Sequence, residues 1–180
     1  MQGPNIALSL IDKGAALGDQ GKFDEAIKAL DEAIKLRPNY AYAWNIKGVI
    51  LRKQGAVLDD PDISLDGQDK YDEAMRCFDE AIRLDPNLTQ AWIDKGIALL
   101  GQGRALIGLG FNGNSVYDDA IKCFDEAIRL NPDNAVVWYQ KGAALLKMDR
   151  EAEAKTALSR AKELEDKTAL SRAKEPGDKG

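Results

Sequence analysis

The feature that most constrains this chain is a ten-residue segment that occurs three times. Residues 77–86 read CFDEAIRLDP, and residues 123–132 read CFDEAIRLNP. A third version, ALDEAIKLRP, occupies residues 29–38. Near-identical segments at such intervals indicate that the chain is built from stacked copies of one structural unit. This architecture favours a protein that holds other molecules over one that transforms them.

A second pattern, Trp-x-x-Lys-Gly, alternates with the first and marks the beginning of each unit. It occurs at residues 44–48, 92–96 and 138–142, and a version without tryptophan occupies 10–14. The interval from Gly14 to Gly48 is 34 residues, which sets the basic period. The two patterns together predict four units, at residues 7–40, 41–88, 89–134 and 135–166.

Each unit contains two stretches of helical apolar periodicity separated by turn residues, which predicts a helical hairpin. Pro38, Pro86 and Pro132 follow the last apolar residue of each second helix and end it. A single hairpin cannot bury its own apolar faces, so neighbouring hairpins must stack. The sequence therefore predicts an all-α solenoid over residues 7–166. Residues 167–180, which begin with a second copy of the segment at 155–163, are expected to form a separate capping helix or a frayed tail.

Small and large residues recur at fixed sites within the units. In units two and three these sites hold Trp44, Gly48, Leu51, Tyr71, Ala74, Phe78, Ala81 and Pro86, and Trp92, Gly96, Leu99, Tyr117, Ala120, Phe124, Ala127 and Pro132. This pattern resembles the tetratricopeptide repeat (TPR) family across essentially residues 7–166. The resemblance implies a right-handed α-solenoid of four TPR-like helical hairpins. It also implies a protein–protein interaction scaffold that binds a partner peptide or protein segment in its concave groove.

In TPR proteins the first helices of successive units line that groove. The family's groove positions, carried over to this chain, are Ile11, Tyr42, Asn45, Val49, Arg52, Gln90, Ile93, Asp94, Ile97, Tyr139 and Ala143. Members that bind chaperones hold a terminal carboxylate with a Lys-Asn-Asn-Lys-Arg set. This chain has Ile11, Ala15, Ile46, Gln90 and Asp94 at those places, so that clamp is absent. We therefore expect the groove to prefer apolar or aromatic anchors over charged ones.

Composition and missing motifs disfavour other classes of function. The net charge is −5 and the chain has no histidine, which is the commonest general base and metal ligand. No basic stripe offers contacts to phosphates, so we expect no nucleic-acid partner. No apolar run approaches the ~18 residues of a membrane span, and no signal-peptide pattern is present. We expect a cytoplasmic non-enzyme without a cofactor or metal.

The two cysteines, Cys77 and Cys123, occupy the same site in successive units. Equivalent points on stacked helices lie roughly 8–10 Å apart, whereas a disulfide needs Cα atoms within about 7 Å. We interpret them as small packing residues in a reducing compartment.

Units two and three are longer than unit one at the turn inside the hairpin. The interval from glycine to aromatic residue is two residues at Gly21 and Phe23, but sixteen in unit two and fourteen in unit three. Insertions at the same turn of adjacent units predict paired helical extensions, continuing the first helices through 56–58 and 104–109. Their apolar residues, such as Val57, would either pack on each other in a small core or present a surface to a partner.

The insertion in unit two contains a calcium-like pattern. Asp62, Ser64, Asp66 and Gly67, followed by Glu73, have the spacing of an EF-hand loop. Asp69, however, lies where such loops place an apolar residue, and Glu73 already recurs with the repeat as Glu25. An acidic, solvated loop is therefore the preferred interpretation.

Charged residues also recur with the repeat. Lysines precede the glycine of each unit and are expected to form a cationic row whose stems cover apolar surface, namely Lys13, Lys47, Lys95 and Lys141. Asp79 and Arg83, and likewise Asp125 and Arg129, are one helical turn apart and are expected to pair.

Two functions from other classes remain alternatives to a scaffold that binds a different protein. One is a self-assembling structural protein whose groove or inserted lobe binds a second copy. The other is an accessory segment of a larger enzyme whose catalytic part lies elsewhere.

Overall fold

The computed structural model describes residues 3–58 and 66–174, which form α-helices and turns without any β-strand. The all-α fold predicted from the repeats is confirmed. The helices are α1 Gly3–Asp19, α2 Phe23–Leu36, α3 Ala41–Leu58, α4 Asp66–Leu84, α5 Thr89–Gly108, α6 Asn114–Leu130, α7 Ala135–Lys147 and α8 Glu151–Lys174.

Consecutive helices pair into four hairpins, and each hairpin packs on the first helix of the next through its second helix and, less extensively, through its first. α1 contacts α3, α3 contacts α5, and α5 contacts α7. Within the described ranges, no second helix contacts the second helix of a neighbouring hairpin. The first helices are thus packed more closely than the second helices. The array therefore curves with its first helices on the concave side.

Inside each hairpin a large side chain packs on the glycine of the repeated Lys-Gly pair. A Cβ atom placed on Gly96 would lie 2.5 Å from the Phe124 ring, and one on Gly48 would lie 2.6 Å from the Phe78 ring. In units one and four a leucine takes the place of the ring. The helices can approach this closely only because glycine has no side chain.

Two polar contacts recur at each junction between consecutive units. The indole nitrogen of the tryptophan in one unit donates to the carbonyl of the proline that ends the preceding unit, as Trp92 Nε1 does to Pro86 O at 3.0 Å. The other two junctions have the same bond, Trp44 to Pro38 and Trp138 to Pro132. This bond joins the end of one hairpin to the start of the next.

The second junction contact corrects the expected cationic row. Lys47 Nζ lies 2.6 Å from Asp31 Oδ1, so this lysine is paired with the second helix of the preceding unit. The equivalent pairs are Lys95 with Asp79 and Lys141 with Asp125. The row is therefore largely neutralised.

The expected pairing of Asp79 with Arg83 is wrong for a related reason. Asp79 is engaged by Lys95, and Arg83 instead pairs with Glu80, three residues before it. The same partners are found in the next unit, where Arg129 pairs with Glu126 and not with Asp125.

The helical extensions in the longer units are present. α3 reaches Leu58 and α5 reaches Gly108, whereas α1 ends at Asp19, before the equivalent glycine. Of the two alternatives for the inserted residues, the small core is not formed by the side chains that can be described, because Val57 is 68% exposed and Ile107, Leu109 and Phe111 are also exposed. Asp62 and Ser64 of the calcium-like pattern lie outside the described residues, whereas Asp66, Gly67 and Glu73 belong to α4.

The C-terminal end differs from expectation. In place of a separate capping helix or frayed tail, α8 runs unbroken from Glu151 to Lys174 and includes residues 167–174 of the duplicated segment. Leu164 is buried, while residues 165–170 are exposed. Residues 167–170 thus continue the helix but not its buried face, because twelve residues turn a helix by about 120° beyond whole turns.

Both cysteines are free and buried, as expected of packing residues. Burial raises the pKa of the Cys77 and Cys123 thiols to about 11, so both keep their protons at neutral pH.

Candidate binding groove

The first helices carry two kinds of position, which can be counted from the glycine of each unit (Gly14, Gly48, Gly96 and Gly142). Three residues before it, Ile11, Asn45 and Ile93 are buried. Ile11 and Ile93 join core clusters that include residues of the next unit. These side chains lie between neighbouring first helices and not on the groove surface.

Tyr139 occupies the same position in α7 but is exposed. The described chain has no further first helix to cover it. Leu146, on the same side of α7, is exposed for the same reason. We call these two residues the open end of the solenoid.

The groove surface itself consists of other positions. Six residues before the glycine, Leu8, Tyr42, Gln90 and Val136 are all exposed. One residue after the glycine, Val49, Ile97 and Ala143 are half-buried and form the floor. Of the predicted groove residues, the structure thus places Tyr42, Gln90, Val49, Ile97 and Ala143 on this surface.

Four predicted groove residues form a polar cluster between α3 and α5. Asn45 Nδ2 donates to Asp94 Oδ2 at 2.9 Å, and Gln90 Nε2 donates to Asp94 Oδ1 at 3.1 Å. Arg52 lies close enough to stabilise the Asp94 carboxylate electrostatically. The cluster ties the two helices together beneath the groove surface.

Asp94 is held in an unfavourable environment for a charge. Burial raises the pKa of its carboxyl above the ordinary aspartate value, although the bonds from Asn45 and Gln90 and the charge of Arg52 each lower it. The loss of hydration therefore outweighs the three favourable contacts.

Replacing Asp94 with asparagine is expected to raise the stability of the chain, relative to wild type, by an amount that grows as pH rises. The folded state binds the Asp94 proton more tightly than the unfolded state. This carboxyl thus contributes stability that is lost as pH rises from about 4 through its raised folded-state pKa. Asparagine does not titrate, and Asn45 can turn its amide so that its unpartnered Oδ1 accepts from the new amide. The free energy of unfolding of Asp94→Asn, relative to wild type, should rise over this range.

Urea unfolding followed by circular dichroism between about pH 4 and 7 measures this difference. Asp12→Asn is the control, because Asp12 occupies the same position in unit one but is exposed. A difference for Asp94→Asn that stays flat or falls with pH would contradict the prediction.

A cleft of about 310 Å³ opens between α5 and α7 on the concave side. Its floor is apolar, formed by Ile97, Leu100 and Ala143. Its polar lining comprises Arg104, Tyr117, Gln140 and Lys147. Sequence reasoning missed Arg104 and Tyr117. Arg104 lies seven residues after Ile97, two helical turns along the same face, and that spacing could have identified it.

The described residues form neither a metal site nor a membrane span. Among these residues no group of three or more His, Cys, Asp or Glu side chains could hold a metal ion. No helix of the described chain has the length and apolar character needed to cross a membrane.

Stacked helical hairpins with an inner layer of first helices define an α-solenoid of the protein-binding class. The sequence matches profiles of such a family over most of its length. Residues 11–60 and 63–105 match a profile described as tetratricopeptide repeat, residues 116–149 match one described as TPR repeat, and residues 135–168 match a further tetratricopeptide repeat profile. The chain belongs to the tetratricopeptide repeat family.

Solved structures share this fold. MamA (41-end) from Desulfovibrio magneticus RS-1 is 20% identical with a TM-score of 0.68, covering 94% of this chain and 78% of that one. TTC0263, a thermophilic TPR protein in Thermus thermophilus, is 19% identical with a TM-score of 0.67, covering 89% and 75%. The Arabidopsis OM64 TPR domain is 17% identical with a TM-score of 0.56, covering 89% and 98%. No curated protein matches the sequence.

Proposed function

We propose that this chain is a non-catalytic interaction scaffold that binds an extended segment of a partner protein in its concave groove. The observation that carries the proposal is a row of uncovered side chains that is apolar in three of the four first helices, with Gln90 in the fourth. Tyr42 is 43% exposed and Val136 is 58% exposed at the same position of α3 and α7, and Leu8 is exposed there in α1. Such a row suits the apolar or aromatic side chains of a partner.

Membership of the tetratricopeptide repeat family supports this role in general terms. The buried, free thiols of Cys77 and Cys123 suit a reducing compartment such as the cytoplasm.

Replacing Tyr42 with alanine is expected to weaken binding of a groove peptide at least about tenfold, because buried aromatic anchors commonly contribute ~2 kcal/mol or more. The probes are peptides selected on the purified chain from a phage-displayed random library about twelve residues long. Their Kd values are measured by fluorescence anisotropy. Tyr139→Ala is the matched control, since that tyrosine lies on the open end and should change Kd less than about twofold. A Kd that Tyr42→Ala leaves unchanged would place the site outside the groove.

One observation favours self-association as a second candidate function. Tyr139 and Leu146 are exposed at positions that the next first helix covers in the other units. A second copy stacked on the open end would cover them. Sedimentation velocity between about 1 and 100 µM tests this, and a monomer throughout that range would exclude it. If a dimer is present, Tyr139→Ala should dissociate it and Tyr42→Ala should not.

A further inference from the structure

The cleft between α5 and α7 holds two cationic side chains without an acidic partner. Arg104 comes from the C-terminal part of α5 and Lys147 from the C-terminal end of α7. Neither forms a salt bridge or a side-chain hydrogen bond with any residue that the structure describes, and both are exposed. The apolar floor of Ile97, Leu100 and Ala143 lies in the same cleft.

The lysine at the position of Lys147 in another unit is neutralised. Lys53 occupies in unit two the position of Lys147 in unit four, and its Nζ lies 2.8 Å from Asp19 Oδ1 of unit one. The residue that corresponds to Asp19 in unit three is Gly101, so Lys147 meets no carboxylate there. Between units two and three the cation is Arg52, whose Nε has no hydrogen-bond partner in the described chain but whose charge acts on the Asp94 carboxylate. The cleft between units three and four differs in holding two cations while no carboxylate lines it.

A buried hydrogen-bond donor completes this site. Tyr117 lines the cleft, is 1% exposed, and its hydroxyl has no hydrogen-bonding partner in the part of the chain described. Gly103 makes room for its ring, since a Cβ atom there would lie 2.5 Å from it. Burial raises the pKa of the Tyr117 hydroxyl, so it keeps its proton and remains a donor. A buried polar group without a partner is costly, which favours a ligand that accepts from it.

We propose that this cleft binds a glutamate or aspartate side chain within the partner segment that occupies the groove. The carboxylate would pair with Arg104 and Lys147 and accept from Tyr117 and Gln140, all of which line the cleft. This rests on the proposed function and specifies the chemistry of the partner. The positions differ from those of the chaperone-type clamp, which this chain lacks.

The apolar floor decides between a side chain and a chain terminus as the source of the carboxylate. The methylene groups of a glutamate can lie on Ile97 and Leu100 while its carboxylate reaches the cations. A terminal carboxylate is attached directly to the backbone, so it would bring peptide groups onto the apolar floor, where they lose hydration without gaining partners.

The experiment uses the selected peptides described above, synthesised with amidated C-termini. Selection should enrich glutamate or aspartate beside an aliphatic residue, and a Glu→Gln peptide should bind at least about fivefold more weakly. Arg104→Gln combined with Lys147→Gln should weaken binding of the Glu peptide by a similar factor. The same variant should also abolish the difference between the Glu and Gln peptides. Lys53→Gln is the matched control and should change Kd less than about twofold.

Each result has a distinct meaning. Equal Kd values for the Glu and Gln peptides on wild type, with Tyr42→Ala still weakening both, would overturn the cleft assignment and leave the groove proposal intact. A selection that yields no binder, or binders indifferent to Tyr42→Ala, would overturn the groove proposal itself. Tight binding that requires a free C-terminal carboxylate and ignores the internal glutamate would overturn the assignment to a side chain. Circular dichroism verifies that each variant remains helical.

Discussion

Replacing Phe124 with alanine is expected to lower the free energy of unfolding by about 3–5 kcal/mol, a large share of the stability of a chain this size. The Phe124 side chain is 0% exposed, belongs to the core cluster around α6, and packs its ring on Gly96. Truncation would remove that burial and leave a cavity between α5 and α6, which their backbones cannot close completely. Urea unfolding followed by far-ultraviolet circular dichroism at 25 °C measures the loss.

Phe111→Ala is the matched control, because Phe111 is 62% exposed in the turn between the same two helices. Its effect should stay within about 0.5 kcal/mol. If both substitutions cost the same, the assignment of Phe124 to the core would be wrong.

The second large effect is expected from Gly96→Ala. Alanine is about 1 kcal/mol more favourable than glycine inside a helix, so propensity alone predicts stabilisation. The new Cβ atom, however, would lie 2.5, 2.8 and 2.9 Å from three atoms of the Phe124 ring. That ring is fully buried and cannot move without displacing its own neighbours, and overpacking of this kind costs about 1–3 kcal/mol. We therefore expect a net loss of about 1–2 kcal/mol in urea unfolding.

Gly108→Ala in the same helix separates the gain in helix propensity from the cost of overpacking. A Cβ atom at Gly108 meets nothing within 4 Å, so only the propensity term applies and the variant should gain up to about 1 kcal/mol. Stabilisation by both substitutions would show that the Gly96–Phe124 contact tolerates a methyl group.

The hairpins and their stacking could be predicted because their determinants are local and occur several times. A proline such as Pro86 ends the second helix of its unit, and a glycine such as Gly96 makes room for a large side chain of the facing helix. Both effects depend on residues close to these sites. Ionic partners could not be predicted in the same way. Asp79 has Arg83 one turn away on its own helix and Lys95 on the next helix, and spacing along the chain describes only the first. The lysine prevails because the packing of α4 against α5 brings it to the carboxylate.

The sequence likewise could not show which residues of the first helices lie on the groove surface. Tyr42 and Asn45 are three residues apart on α3, yet one is on the groove surface and the other is buried against α5. Which of two adjacent turns lies under the neighbouring helix depends on the rotation from one hairpin to the next, and no short pattern specifies that angle. Tyr139 was predicted as a groove residue for the same reason, although its position belongs to the open end.

The two recurring junction contacts set where this chain can change in length during evolution or engineering. The bond from Trp92 to Pro86 and the pair of Lys95 with Asp79 both cross from one hairpin to the next, and neither spans the turn inside a hairpin. Units two and three could therefore acquire longer turns while every junction kept its register. A foreign epitope grafted into 109–113 should leave the stack undisturbed, whereas a single residue inserted between Pro86 and Trp92 would pull both contacts apart.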